Sequence, residues 1–258
     1  MWSSKYLSKY TRLCSVFVLF VLFFSLFPSP VYALNRIGIR QGANGGEFYD
    51  TVTNNKFIFR GNNYYFDQWF YSRTDVQNVF TQFKQYGYNS VRIFINHEVV
   101  GNPSGGLSSQ NMDNTVDLLK KAKANNLYVF PVLYKLPSTG GYIPPDSSLT
   151  ANIEGANLHY MSQPYIDAKK RFMQDFINEL HKRNAPTEII VGYEFENELT
   201  FQLDQKPLSL SSGTIQTASD VYDMSSQKEL AMSANLVNWS NQVSDAIKQV
   251  EPTALTTI

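Results

Sequence analysis

The chain has 258 residues, with 22 basic and 22 acidic side chains and a formal net charge of zero. No block of basic residues is present, so nucleic acid is not an expected partner. Three histidines and one cysteine give little support to a metal site or a disulfide framework.

Residues 1–33 read as a separate object. Lys5, Lys9 and Arg12 form a basic start without acidic residues, 13–27 is an apolar run of 15 residues, and Pro28 and Pro30 break it. Val31-Tyr32-Ala33 places small residues where a signal peptidase cuts, so the expectation is a secretory signal peptide and a secreted, extracellular product. An uncleaved anchor is the alternative, but a membrane span wants roughly 18 or more apolar residues. After cleavage no stable membrane association is expected. The remaining 225 residues, 34–258, carry 19 basic against 22 acidic groups, a net charge of −3. They lose Cys14, the lone cysteine, so stability must come from the core.

The next segments alternate in type. Two short alternating runs around Asn54-Asn55 predict a hairpin. Arg60-Gly61-Asn62-Asn63-Tyr64-Tyr65-Phe66 predicts a first parallel strand. Thr74 and Asp75 are set to cap a helix through about Tyr86, with Val76, Val79, Phe80 and Phe83 on one face and Gly87 as its stop. A strand over 89–95 follows. Met112, Val116, Leu119 and Ala122 mark a second helix, and 127–133 a third strand that Pro131 weakens.

After a long loop (134–162), a helix is predicted over about 164–183, with Phe172, Phe176, Ile177 and Leu180 inward. The fourth strand is predicted over 188–195. A second long loop leads to a helix near 227–250 carrying Leu230, Leu236, Val237, Val243 and Ile247. Pro252 stops it, and 253–258 starts a fifth strand.

Strand–helix alternation predicts a parallel sheet covered by helices. No Gly-x-Gly-x-x-Gly fingerprint follows the first strand, which weighs against a dinucleotide-binding sheet; no cofactor is expected. The expected fold class is therefore an α/β (β/α)8 TIM barrel, apparently truncated after about the fifth strand, since eight units usually need about 250 residues or more.

The fourth strand runs into Gly192-Tyr193-Glu194-Phe195-Glu196-Asn197-Glu198-Leu199. In parallel α/β folds ligands bind at the C-terminal ends of strands. The segment is similar to the Gly-Trp-Glu-Leu-x-Asn-Glu-Pro stretch of family 5 and related clan-A glycoside hydrolases, which include cellulases and β-mannanases. Phe59-Arg60-Gly61-Asn62-Asn63 resembles that family's first-strand Arg-Gly-x-Asn. Gly87-Tyr88-Asn89-Ser90-Val91-Arg92-Ile93 resembles its second-strand Gly-x-Asn-x-Val-Arg-Ile. The hairpin with Asp50 resembles the β-element that plugs the barrel bottom.

The resemblance implies roles. Glu198 would be the general acid/base, and Asn197 would bind the sugar 2-hydroxyl. Arg92 would lie under the site and help keep a nucleophile ionised. Asn63 is a further substrate-binding candidate. Where the family's third strand often ends in a histidine this chain has Tyr134-Lys135, so either Tyr134 fills that place as a substrate-binding residue or the subsite differs; Leu199 and Tyr193 replace the usual Pro and Trp.

His97, just past the second strand, either lines the site or sits on a surface loop. Trp69 either stacks on a sugar ring or packs beneath its loop. Glu194 is expected to be buried and hydrogen-bonded, while Glu196 and Glu198 read either as site carboxylates or as solvated loop residues. His159 and His181 have no partner spacing.

The family's nucleophile, a glutamate on the seventh strand, has no counterpart among the strands read here. A retaining hydrolase of a β-linked polysaccharide is thus expected by family, with this chain alone having little activity. Two alternatives stay open: a barrel relic that binds polysaccharide without cleaving it, and a truncated product without function.

Overall fold

A computed structural model describes residues 34–43, 45–66, 73–146 and 151–258. The proposed signal segment and Trp69 therefore lie outside the described residues. Strand β1 (Ile37–Gly42) pairs antiparallel with β2 (Gly45–Asp50). A five-stranded parallel sheet then holds β3 (Gly61–Phe66), β4 (Ser90–Ile95), β5 (Tyr128–Val132), β6 (Gly192–Glu194) and β9 (Leu255–Thr257), side by side in chain order. Helices α1 (Arg73–Gln85), α2 (His97–Val100) and α3 (Ser109–Ala124) lie in the first two crossovers. Helices α4 (Asn157–Met161) and α5 (Gln163–Lys182) fill the third, and α6 (Lys228–Val250) the fourth. A small antiparallel pair, β7 (Thr214–Gln216) and β8 (Val221–Asp223), lies between β6 and α6. Consecutive strands joined by helical crossovers and lying side by side are the first five strands of a (β/α)8 barrel.

Side-chain alternation sets the two faces of the sheet. On β4, Val91, Ile93 and Ile95 are at most 3% exposed and join the helix-side core, which leaves Arg92 and Phe94 for the other face. On α5, Ile166, Phe172, Met173, Phe176, Ile177 and Leu180 are all buried, a helical stripe against the sheet. Helix α1 ends as expected: Gly87 has φ +78°, and the N–H of Tyr88 reaches back to the Phe83 carbonyl. That six-to-one bond needs a left-handed residue, which glycine adopts without strain.

Pro131 does sit within β5, and the pairing explains why. The Val191 N–H donates to the Val129 carbonyl, and the Leu133 N–H donates to the Glu194 carbonyl. Residues 129, 131 and 133 thus face β6, so the donor that Pro131 lacks is missing on that side. There the register holds a single strand pair, Val132↔Glu194, and one isolated bridge, Val129↔Ile190.

Three expectations need correction. The main hairpin is β1–β2; the turn at Asn54 (φ +58°) only closes an isolated Tyr49↔Lys56 bridge. The fourth strand is three residues long, because Thr187–Ile189 winds as a 3-10 turn before it. On α6, Leu230 and Val237 are 53% and 58% exposed. The packed face is Ala231, Asn235, Trp239, Val243, Ala246 and Ile247, a run of three- and four-residue steps.

Aromatic rings cluster at the N-terminal ends of the strands. Phe48 meets Phe59, Phe57 meets Phe59 and Tyr128, and Phe59 meets Phe130, edge to face with centroids 4.9–5.0 Å apart. Beside them the buried Glu251 accepts from Tyr193 Oη at 2.8 Å and pairs with Arg36 and His181.

Candidate active site

The inner face of the sheet frames a concavity of about 450 Å³ lined by Asn62, Asn63, Arg92, Phe130, Glu194 and Thr257 among others. Arg92 is its hub. Its Nε donates to Glu194 Oε2 at 2.7 Å, a second guanidinium nitrogen donates to Glu194 Oε1, and that same nitrogen donates to Asn197 Oδ1 at 2.8 Å. A bidentate carboxylate pair of this kind fixes both position and plane of the guanidinium. Glu194, 9% exposed, is thus buried and hydrogen-bonded, as expected. The hydrogen bond it donates to Glu194, above all, holds Arg92 more firmly charged than usual, and the charge of Glu198 adds to this. Glu198 therefore lies within electrostatic reach of Arg92.

The same contacts orient Asn197. Arginine offers only donors, so the amide oxygen must face it, and the amide nitrogen, without a partner among the described residues, is left as a donor toward solvent or ligand. The Asn197 main-chain N–H is held separately, donating to Glu196 Oε1 at 2.9 Å. Glu198 follows with φ +54°, a left-handed conformation that a glutamate adopts only when its surroundings enforce it. Its side chain is exposed, just past the C-terminal end of β6.

Beside this group lies an aromatic patch. The Arg92 guanidinium stands 4.5 Å from the Phe94 ring centroid; Tyr65 stacks on Phe94 at 6.1 Å, and Tyr134 meets it edge-on at 6.1 Å. His97 packs against Tyr134 at 5.6 Å. Its Nδ1 is buried without a partner among the described residues, and burial, ahead of the charge of Lys135, lowers its pKa. Burial raises that of Tyr134. The structure thus sets Asn197 against Arg92 with Glu198 within electrostatic reach, places Asn63 with Arg92 on the concavity, and groups His97 with Tyr134.

Sequence reasoning missed Tyr65 and Phe94 as part of the patch, although their alternation with Asn63 and Arg92 puts them on the same strand face. It also set His159 aside. That ring stacks on Tyr165 at 5.2 Å, and burial lowers its pKa to about 4. Together with Tyr134, Lys169, Glu196 and Trp239 it lines a small cavity behind the Asn197 segment. Among the described residues no three His, Cys, Asp or Glu side chains converge as a metal site would require, and no helix is long and apolar enough to cross a membrane.

A parallel β/α sheet with carboxylate, amide and guanidinium groups gathered at its strand ends is the layout of a barrel enzyme's site. The family model for cellulases, glycosyl hydrolase family 5, matches residues 50–258, and the chain belongs to that family. Its fold is similar to that of an exo-β-1,4-mannosidase from Opitutaceae bacterium strain TAV5 (TM-score 0.54, 19% identity), over 81% of this chain and 33% of that one. It is also similar to two structures of endo-β-1,4-mannanase from Thermotoga petrophila. One has TM-score 0.54 and 16% identity over 78% of this chain and 55% of the other; the second has TM-score 0.52 and 15% identity over 78% and 42%. The chain thus spans between a third and just over half of these proteins' lengths. A comparison with curated proteins finds no match.

Proposed function

We propose that the chain forms the acid/base side of a secreted, retaining hydrolase of β-1,4-linked glucan or mannan. Glu198 protonates the glycosidic oxygen as the bond to the leaving sugar breaks, then takes a proton from the water that releases the glycosyl group. Asn197 donates its amide N–H to the sugar 2-hydroxyl, and the aromatic patch of Tyr65, Phe94 and Tyr134 offers apolar surface to the sugar faces. Asn63 and His97 line the approach. The observation that carries this reading is the Arg92–Glu194–Asn197 cluster, which orients a free amide donor next to an exposed carboxylate at a strand end.

A retaining mechanism needs a second carboxylate about 5–5.5 Å from the first. The two nearest along the strand are engaged, Glu194 by Arg92 and Glu196 by Tyr160 and Asn197. The reading therefore has the described residues bind sugar without turning it over, neither of these two carboxylates being free to act as nucleophile. The same observation favours a second reading, a barrel that only binds polysaccharide.

Hydrolysis of soluble β-1,4-glucan and β-1,4-mannan by the product of the entire gene separates them. Glu198→Gln is expected to lower kcat by about 10²–10⁴-fold, the usual worth of a general acid/base. Unchanged turnover by that variant removes the assignment; binding of the polymers with no reducing-end release by either form favours the second reading.

A further inference from the structure

Lys169, Glu196 and Tyr160 form a buried polar cluster with no part in the chemistry assigned to Glu198. Lys169 lies on the buried face of α5 and is 4% exposed; its ammonium donates to the Leu133 carbonyl at 2.5 Å and the Tyr134 carbonyl at 3.1 Å. Glu196 is 6% exposed. Its Oε2 accepts from the Tyr160 hydroxyl at 3.1 Å, and its Oε1 accepts from the Asn197 N–H. Lys169 and Glu196 face one cavity of about 10 Å³, the volume of a single water probe. Burying a lone ammonium or carboxylate is costly, so each persists here because it is hydrogen-bonded and near an opposite charge. Burial draws Lys169 down to about 8 and pushes Glu196 up, and each effect is partly offset by the other group's charge.

The location gives the cluster its meaning. The β5–β6 register ends at Val132↔Glu194, closed by the Leu133 N–H on the Glu194 carbonyl. The next residues on the two segments are the ones that shape the site: Tyr134 on one, Asn197 and Glu198 on the other. Lys169 holds the first segment by its carbonyls, and Glu196 holds the second by its N–H. Asn197 is then pinned twice, by Glu196 at its backbone and by Arg92 at its side chain.

We infer that Lys169 and Glu196 are positioning residues that continue the broken ladder through side chains. They set Asn197 and Glu198 against Tyr134 at the rim where sugar is handled. This rests on the glycosidase reading of the same rim.

Two measurements on the full chain test it: hydrogen exchange of the Asn197 amide by NMR, and calorimetric affinity for cellotetraose and mannotetraose. Glu196→Ala is expected to speed that exchange about tenfold or more and weaken tetrasaccharide binding about tenfold, the worth of a lost charge-assisted hydrogen bond. Glu196→Gln keeps a carbonyl acceptor for the Asn197 N–H and is expected to restore both to within about threefold of wild type. A lower Tm with Asn197 exchange and affinity unchanged would reduce the cluster to a structural filler and overturn the inference. If Glu196→Ala fails to fold, Tyr160→Phe carries the test, and wild-type exchange and affinity in that variant overturn it equally. Faster Asn197 exchange in a protein whose wild type binds neither tetrasaccharide upholds the positioning and instead removes the sugar-handling reading.

Discussion

The two ends of the parallel strands handle polar groups in opposite ways. At the N-terminal ends, Glu251 is 5% exposed and its carboxylate meets Arg36, Tyr193 and His181, beneath a chain of edge-to-face aromatic rings. At the C-terminal ends, Asn197 keeps an amide donor uncommitted among the described residues, Glu198 is exposed in a left-handed conformation, and Tyr65 is 55% exposed. A closed network contributes stability; an open one leaves groups for a ligand to complete. Within one sheet, the first end reads as scaffold and the second as site.

Substitutions can break that contrast, and the largest effect belongs to the closed end. Glu251→Ala strands Arg36 and the buried Tyr193 hydroxyl, and is expected to cost about 3–5 kcal/mol in denaturant unfolding, with tetrasaccharide affinity of the folded protein unchanged. Loss of sugar binding there would blur the division. At the open end, Arg92→Lys keeps the charge and loses the bidentate grip on Glu194 and the bond to Asn197. It is expected to cost about 1–2 kcal/mol of stability and to weaken tetrasaccharide binding about tenfold.

His159 sharpens the contrast through pH. Burial keeps the folded imidazole neutral down to about 4, while the unfolded chain takes up a proton near the ordinary histidine value of 6.5. Unfolding therefore binds a proton between those values, and stability falls as pH drops through that window. The Tm of His159→Gln is expected to fall less steeply than wild type between pH 6.5 and 4; parallel curves would remove this contribution. The smallest stability effect is expected from Tyr65→Ala, within about 0.5 kcal/mol because the ring is exposed. Its tetrasaccharide affinity should nevertheless drop several-fold, and unchanged affinity would take Tyr65 out of the site.

Much of this division can be read from the chain before any coordinates. The helix stripes of α3 and α5 follow from local periodicity, while Asn197, Glu198 and Arg92 stand out through the resemblance of their segments to family 5 motifs at strand ends. What escaped depends on contacts distant in sequence. Hydropathy put Leu230 and Val237 in the core, but α6 turns Ala231, Asn235 and Trp239 inward instead. Asn235 is worth burying because its amide donates to Thr217 Oγ1 and the Ala231 carbonyl and accepts from the Ser219 N–H. Lys169 looks like a solvated helix residue until the Leu133 and Tyr134 carbonyls are found above it. The run 188–195 looked like one strand because apolar residues suit a strand and a buried 3-10 turn alike. The β1 hairpin was the avoidable miss: Ile37-Gly38-Ile39-Arg40 alternates, and Asn44-Gly45 follows it as a turn signal.

The most direct test is an amide-resolved NMR titration of the protein with mannotetraose and cellotetraose. The expected result is shifts concentrated at Asn63, Tyr65, Arg92, Tyr134, Asn197 and Glu198, with Arg36, Tyr193 and Glu251 unmoved. Shifts at the N-terminal strand ends, or none with either sugar at millimolar concentration, would contradict the assignment of the Glu198 rim as the place where sugar binds.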